Sequence, residues 1–376
     1  MKTLNIKKFL ALGLTLAGAA FTPNLQADVQ LLLSGGSASS AVIFDRATNL
    51  FTANGGTLTS VTAAAAPNNK TIKTFVGTLG GTNAGLGTVT LGINLAVGAV
   101  GGLLDLSSGN PEQVVPAGGF TSSSFIPTFV DSSARPDSVG IPSSQFAESP
   151  VYVVPYVFIK NTLGTNTTTL TNLTQTQAQA LESSGATIPA SFFGGSGTNV
   201  IYFVGRNKDS AVRTEIDLNI NSLGFQTYTT NSSGQVVQDT NSVDLEGLVD
   251  PGQSSGSAEA GIVAYITNSI GEVAVQNIVS HTAALSYNGV AYSTNSVLDG
   301  TYQLWNPEYY YTSVSTPLSS SQSTVFNLFY SSITNSSYWS NPNFQGSFIP
   351  KPWVDANLIR NGDGAVIKPN TGYTVY

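Results

Sequence analysis

The sequence contains no cysteine and a single histidine, His281. Disulfides, thiolate metal sites, cysteine nucleophiles and any centre built on two imidazoles are thereby excluded. Charge is also scarce: charged residues make up 9 % of the 376 positions, where about 25 % is usual. The 14 Lys and Arg face 21 Asp and Glu, and the net charge of −7 offers no basic surface to a polyanion, which argues against nucleic acid as a partner. Long apolar runs are missing too. The best of them, Phe9 to Ala20, is well short of the roughly 20 residues that span a bilayer. What remains is 41 % hydrophobic and 10 % aromatic, too apolar for a disordered chain and enough for one large domain or two.

Lys2, Lys7 and Lys8 precede that apolar run, and Leu25-Gln26-Ala27 follows it as a small-residue cleavage site. Residues 1–27 therefore read as a secretory signal peptide cleaved near Ala27. No cysteine follows to carry a lipid anchor, so the mature protein is expected to be soluble, and periplasmic or secreted. Its net charge is −10, because the three lysines of the leader are removed and no acid goes with them.

In the mature chain Leu31-Leu32-Leu33 reads as a short buried strand ending in Ser34-Gly35-Gly36-Ser37. Ile43, Ala47, Leu50 and Phe51 then recur at i, i+4, i+7 and i+8, the spacing of an amphipathic helix. Residues 55–69 read as an exposed insertion. Thr174 with Gln177 has capping-box spacing before a helix-favouring run, and Val200 to Val204 reads as a buried strand. After it, Val212, Ile216 and Ile220 fit a helix capped by Asp209 or Ser210, while Ile216, Leu218 and Ile220 also alternate as in a strand. Ala258 to Ile266 is a third helix, followed by the strand Val273 to Val275. Helices alternating with apolar strands predict α/β layers.

A Gly/Ser turn between a strand and a helix has a chemical use. The first N–H groups of a helix lack internal acceptors and sit at the positive end of its dipole, so an oxyanion can approach them where side chains are small. Ser37 and Ser39 at the first turn, with Ser210 and Arg213 at the later one, carry this chemistry. The plainer reading makes the serines caps and Arg213 a solvated surface charge.

Four stretches, in order, resemble the phosphate-binding periplasmic proteins of ABC importers and the type II solute-binding family around them. They are Ser34 to Ser39, the strand Val151 to Asn161, the unit Thr174 to Arg213 and the stretch Ser286 to Tyr311. Within the third, Arg206-Asn207-Lys208-Asp209-Ser210-Ala211-Val212-Arg213 is similar to that family's Arg-x-x-x-Ser-Gly-Thr-Arg. The resemblance implies an α/β, two-lobed type II periplasmic-binding-protein-like fold with a ligand cleft between the lobes. It also implies a signal peptide at 1–27, a first lobe from 28–155 and the returning 286–376 with its tail, and a second lobe at 156–285. The implied ligand residues are Ser37, Ser39, Asp131, Ser132, Ser133, Ser210 and Arg213, with no metal, cofactor or catalytic group. The implied partners are inorganic phosphate or another oxyanion and an ABC permease, the chain acting as a monomer and not as an enzyme.

The likeness weakens at the ligand. Ala211 and Val212 replace Gly and Thr, and Asp131 stands two positions ahead of Ser133, where the family has its acid. The alternative is therefore a binding-protein fold repurposed as a secreted envelope, structural or adhesive protein without ligand transport. Elsewhere, the aromatics Tyr302, Trp305, Tyr309, Tyr310 and Tyr311 read as core in preference to a sugar platform. His281 reads as an ordinary imidazole, and Asn361 to Gly364 as a turn in preference to a calcium loop.

Overall fold

The computed structural model describes residues 28–369, except 67, 184–187, 196–198, 223–225, 243–248, 336–337, 340–345 and 356. The expected signal peptide thus lies outside the described residues. From the start of the described chain the order is β1 (Val29–Gly35), α1 (Ser40–Ala53), β2 (Thr57–Ala63), β3 (Ile72–Thr78), β4 (Thr88–Asn94) and α2 (Ala99–Ser108). There follow β5 (Phe129–Ser132), β6 (Phe146–Asn161), α3 (Gln175–Ser183), β7 (Ile188–Pro189), β8 (Val200–Val204) and α4 (Ala211–Ile220). The chain continues through α5 (Gly256–Tyr265), β9 (Ser269–Ala274), β10 (Trp305–Ser313) and α6 (Ser320–Thr334).

One sheet runs through the molecule in the order β7-β8-β9-β6-β10-β5-β1-β4-β3-β2. Parallel pairs, β1 with β4 and β5 and β8 with β9, lie in each half, and antiparallel pairs join the halves through β6 and β10. Strand β6 explains how. Val151 to Asn161 are all buried, and the strand changes partner part-way: Phe146 to Pro155 pair with β10, Tyr156 to Lys160 with β9. Pro155, which has no N–H to give, stands where the partner changes.

The helices pack as their apolar spacing requires. Val42, Ile43, Ala47, Leu50 and Phe51 of α1 are buried. Thr174 and Gln177 close a reciprocal capping box on α3, with Thr174 N–H to Gln177 Oε1 at 2.9 Å and Gln177 N–H to Thr174 Oγ1 at 3.3 Å. The ambiguous stretch after β8 is a helix, α4. Val212, Ile216 and Ile220 are buried while Leu218 is exposed, and Ser210 rather than Asp209 is its cap, accepting from Arg213 N–H at 3.4 Å. One expectation needs correction. Residues 57–63 of the supposed insertion form an edge strand, hydrogen-bonded to β3, whose Thr and Val residues suit a pleated strand although nearly all of them are exposed. Tyr302, Trp305, Tyr310 and Tyr311 are fully buried, so the aromatic cluster is core.

Candidate functional site

Three helix starts meet at the middle of the sheet. Strand β1 ends at Gly35, Gly36 and the short turn Ser37–Ser39 lead into α1, and α2 and α4 begin nearby at Ala99 and Ala211. Gly36, Ser37, Ala38, Ser39, Ala99, Ser133, Arg206, Ser210, Ala211, Val212 and Glu308 together line one small cavity. Glycine is required here for closeness. A Cβ on Gly35 would stand 2.5 Å from the Asp131 carbonyl oxygen, and one on Gly98 would stand 2.3 Å from that of Asp209. Gly98 also has φ +81°, a left-handed backbone that other residues rarely adopt.

The two halves touch across this cavity. Val100 N–H donates to the Asp209 carbonyl at 3.0 Å, and Ala99, Val100, Ala134 and Ala211 form an apolar cluster beside it. The space left is about 10 Å³, close to the minimum for one water.

Hydrogen-bonding groups crowd the lining and the buried positions around it. Among the described residues, the hydroxyls of Ser37 and Ser39 in the lining and, outside it, the hydroxyls of Ser34, Tyr152 and Tyr310 and both oxygens of Asp131 are buried without a hydrogen bond of good geometry, although Asp131 lies against Ser39 and Glu308. Each such group costs about 1–3 kcal/mol if nothing pairs it, so a cluster of them marks a place for a polar guest. Ser133 is half committed: its oxygen accepts from the Tyr156 hydroxyl at 2.7 Å, which leaves its own proton to donate. Ser132 is fully committed, donating to the Ala134 carbonyl at 2.9 Å.

Two carboxyls sit side by side, Glu308 in the lining and Asp131 buried against it. Burial pushes Asp131 up to about 8, against smaller opposing pulls from Ser39 and Glu308. Burial, and then the neighbouring Asp131, push Glu308 well above the usual carboxylate range. Burial and mutual proximity thus favour the protonated forms of both carboxyls.

Of the residues named from sequence, Ser37, Ser39, Ser133 and Ser210 come together in the cavity lining, and Asp131 is buried beside Ser39. Arg213 does not join them. It is the third residue of α4 and faces Asp217 one turn on, at 3.5 Å. The cation in the lining is Arg206, the other arginine of the same motif. It is 2 % exposed and is held by donating to the carbonyls of Gln253 at 2.9 Å and Ser254 at 3.2 Å. Burial lowers its pKa, while Glu259 and Glu272 oppose the shift. Sequence reasoning also missed Glu308. Its only signal was a lone acid in an aromatic strand, Asn306-Pro307-Glu308-Tyr309-Tyr310.

No protein-family model matches the chain. No curated protein sequence matches it either. Solved structures do. A protein described as a phosphate ABC transporter substrate-binding protein, with bound phosphate, from Clostridium perfringens superposes with a TM-score of 0.52 at 13 % identity, over 85 % of this chain and 99 % of that one. The fold is that of a two-lobed, type II periplasmic binding protein. Further similar chains are an ABC-type phosphate transport receptor from Vibrio cholerae, TM-score 0.48 at 13 % identity over 82 % and 96 %, and a phosphate-binding protein from Stenotrophomonas maltophilia, 0.49 at 13 % over 90 % and 96 %. These neighbours are binding proteins by name. In this binding-protein fold β6 and β10 are the crossover strands, and the cavity lies between the lobes. Among the described residues no helix is long and apolar enough to cross a membrane.

Proposed function

We propose that the cleft binds phosphate or a related oxyanion, and that the protein is a non-enzymatic, extracytoplasmic solute-binding protein serving an ABC importer. One observation carries the reading: buried serine hydroxyls at a Gly/Ser helix start, that of Ser37 without a hydrogen-bond partner, share a cavity with a buried arginine. Helix N-termini, hydroxyl donors and a guanidinium fork are complementary to a tetrahedral anion. In this reading Ser37, Ser39, Ser133 and Ser210 donate to the oxygens and Arg206 supplies the charge. The Asp131–Glu308 pair, which burial holds towards its protonated forms, donates a hydrogen bond to the guest. Ser132 and Arg213 take no direct part. The lobes divide as 28–155 with 286–376 against 156–285, and the mature chain, cut near Ala27, is a periplasmic or secreted monomer.

The cavity is too small for a five-atom anion, so binding requires the lobes to part and re-close with the anion inside. The same smallness favours a second reading, in which the fold has lost its guest and serves as an envelope or adhesive protein. Isothermal titration against phosphate, sulfate and organophosphates separates the two. Saturable heat with at least one of them is expected; none with any would leave the second reading.

A further inference from the structure

A short segment near the end of the described chain, residues 358–364, lies across the side of the cleft and holds both lobes. Arg360 is its anchor. One guanidinium nitrogen donates to the Trp305 carbonyl and reaches Asn306 Oδ1 at 3.5 Å; the other donates to the Gln303 carbonyl at 2.7 Å and to Asn219 Oδ1 at 3.3 Å. The planar group lies 4.5 Å from the centre of the Trp305 ring. Asp363 accepts from Asn306 Nδ2 at 2.8 Å and from the backbone N–H of Arg135. It also faces the buried Glu215 carboxyl of α4. At Gly364, with φ +64°, a Cβ would stand 2.8 Å from Leu218 Cβ, so the segment is pressed against α4.

These contacts span the hinge. Asn219, Leu218 and Glu215 belong to α4, whose first residues Ala211 and Val212 line the cavity. Arg135 follows Ser133 by two residues in the other lobe, and Asn306 precedes Glu308 by two on the crossover strand. We infer that residues 358–364 are a strap that keeps the cleft shut in the absence of any guest. The lobes part only when Arg360 and Asp363 release α4, β10 and the Arg135 backbone. The inference goes beyond the oxyanion reading and does not depend on it.

The absence of cysteine makes the test direct. Ser123→Cys and Ser232→Cys place one label on an exposed site of each lobe, and pulsed electron–electron resonance then reads the inter-lobe distance in buffer free of phosphate and sulfate. The strapped full-length chain is expected to give one short distance. Arg360→Ala and Asp363→Asn are each expected to add a longer one, raising the open-to-closed ratio about tenfold or more, as loss of a charge-assisted hydrogen bond implies. Arg360→Lys, which keeps the charge and loses the fork, should fall between. If Arg360→Ala does not fold by near-ultraviolet circular dichroism, Asp363→Asn decides alone. A chain already open without these substitutions, or variants that stay as closed as the parent, would overturn the strap. Because no phosphate enters the measurement, its outcome is separate from that of the titration.

Discussion

The difference between Arg206 and Arg213 is a matter of seven positions and a change of surroundings. Arg213 sits inside a helix, where its natural partner is Asp217 one turn on; Arg206 sits in the loop before the helix, where the Gln253 and Ser254 carbonyls hold its fork at the cavity wall. Arg213→Ala should therefore leave any phosphate-induced rise in melting temperature intact. Ser39→Ala should weaken phosphate about tenfold, the effect of one buried hydrogen bond lost; equal losses in both variants by calorimetry would refute this assignment. The acid pair gives a second residue-scale expectation. Glu308→Gln removes a carboxyl that the folded chain must keep protonated, so the variant should gain in urea midpoint over the parent at pH 8 and show little gain at pH 5. The hydroxyl donors were legible because Gly/Ser turns before helices announce themselves. Glu308 was not, since a strand residue reveals its neighbours only once the sheet order is known.

Helix starts were readable from local signals: apolar spacing gave α1, the Thr174–Gln177 box gave α3, and Ser210 capped α4. Local signals failed at residues 57–63, where Thr and Ser after Gly55-Gly56 suggest a loop and antiparallel pairing with the next strand, β3, makes a sheet edge. They were also silent on Gly98. Its need for glycine arises from Asp209, 111 positions later in the chain, whose carbonyl comes within hydrogen-bonding reach of the start of α2. Gly98→Ala meets both a left-handed backbone and a carbonyl in the way. It should break the Val100–Asp209 bond, prop the cleft open and lower stability by at least about 1 kcal/mol. Small-angle scattering and thermal melting read the two effects; an unchanged radius and melting point would show that the helix start tolerates a side chain.

For the whole molecule, buried acids set the pH response. Burial raises Asp131 and Glu272 to about 8 and pushes Glu182, Glu215, Glu259 and Glu308 well up. The folded chain therefore keeps protons that the unfolded chain releases above about pH 4. Stability contributed this way is complete below the unfolded value and is lost as pH rises towards 8, by about 1.4 kcal/mol per pH unit for each proton still held only by the folded state. Arg206 offsets part of it at Glu259 and Glu272. The urea midpoint should fall from pH 5 to pH 8. A flat or rising midpoint would mean that these acids are solvated or paired in ways the burial does not suggest.

Strand β6 carries a last implication. Its leading stretch is laddered to β10 and its trailing stretch to β9, with no break in the chain between them. Neither lobe could be excised, swapped or inherited as a stand-alone module without tearing a core strand in two and baring a raw hydrogen-bonding flank. Melting should accordingly proceed in one calorimetric step, the van't Hoff and calorimetric enthalpies agreeing.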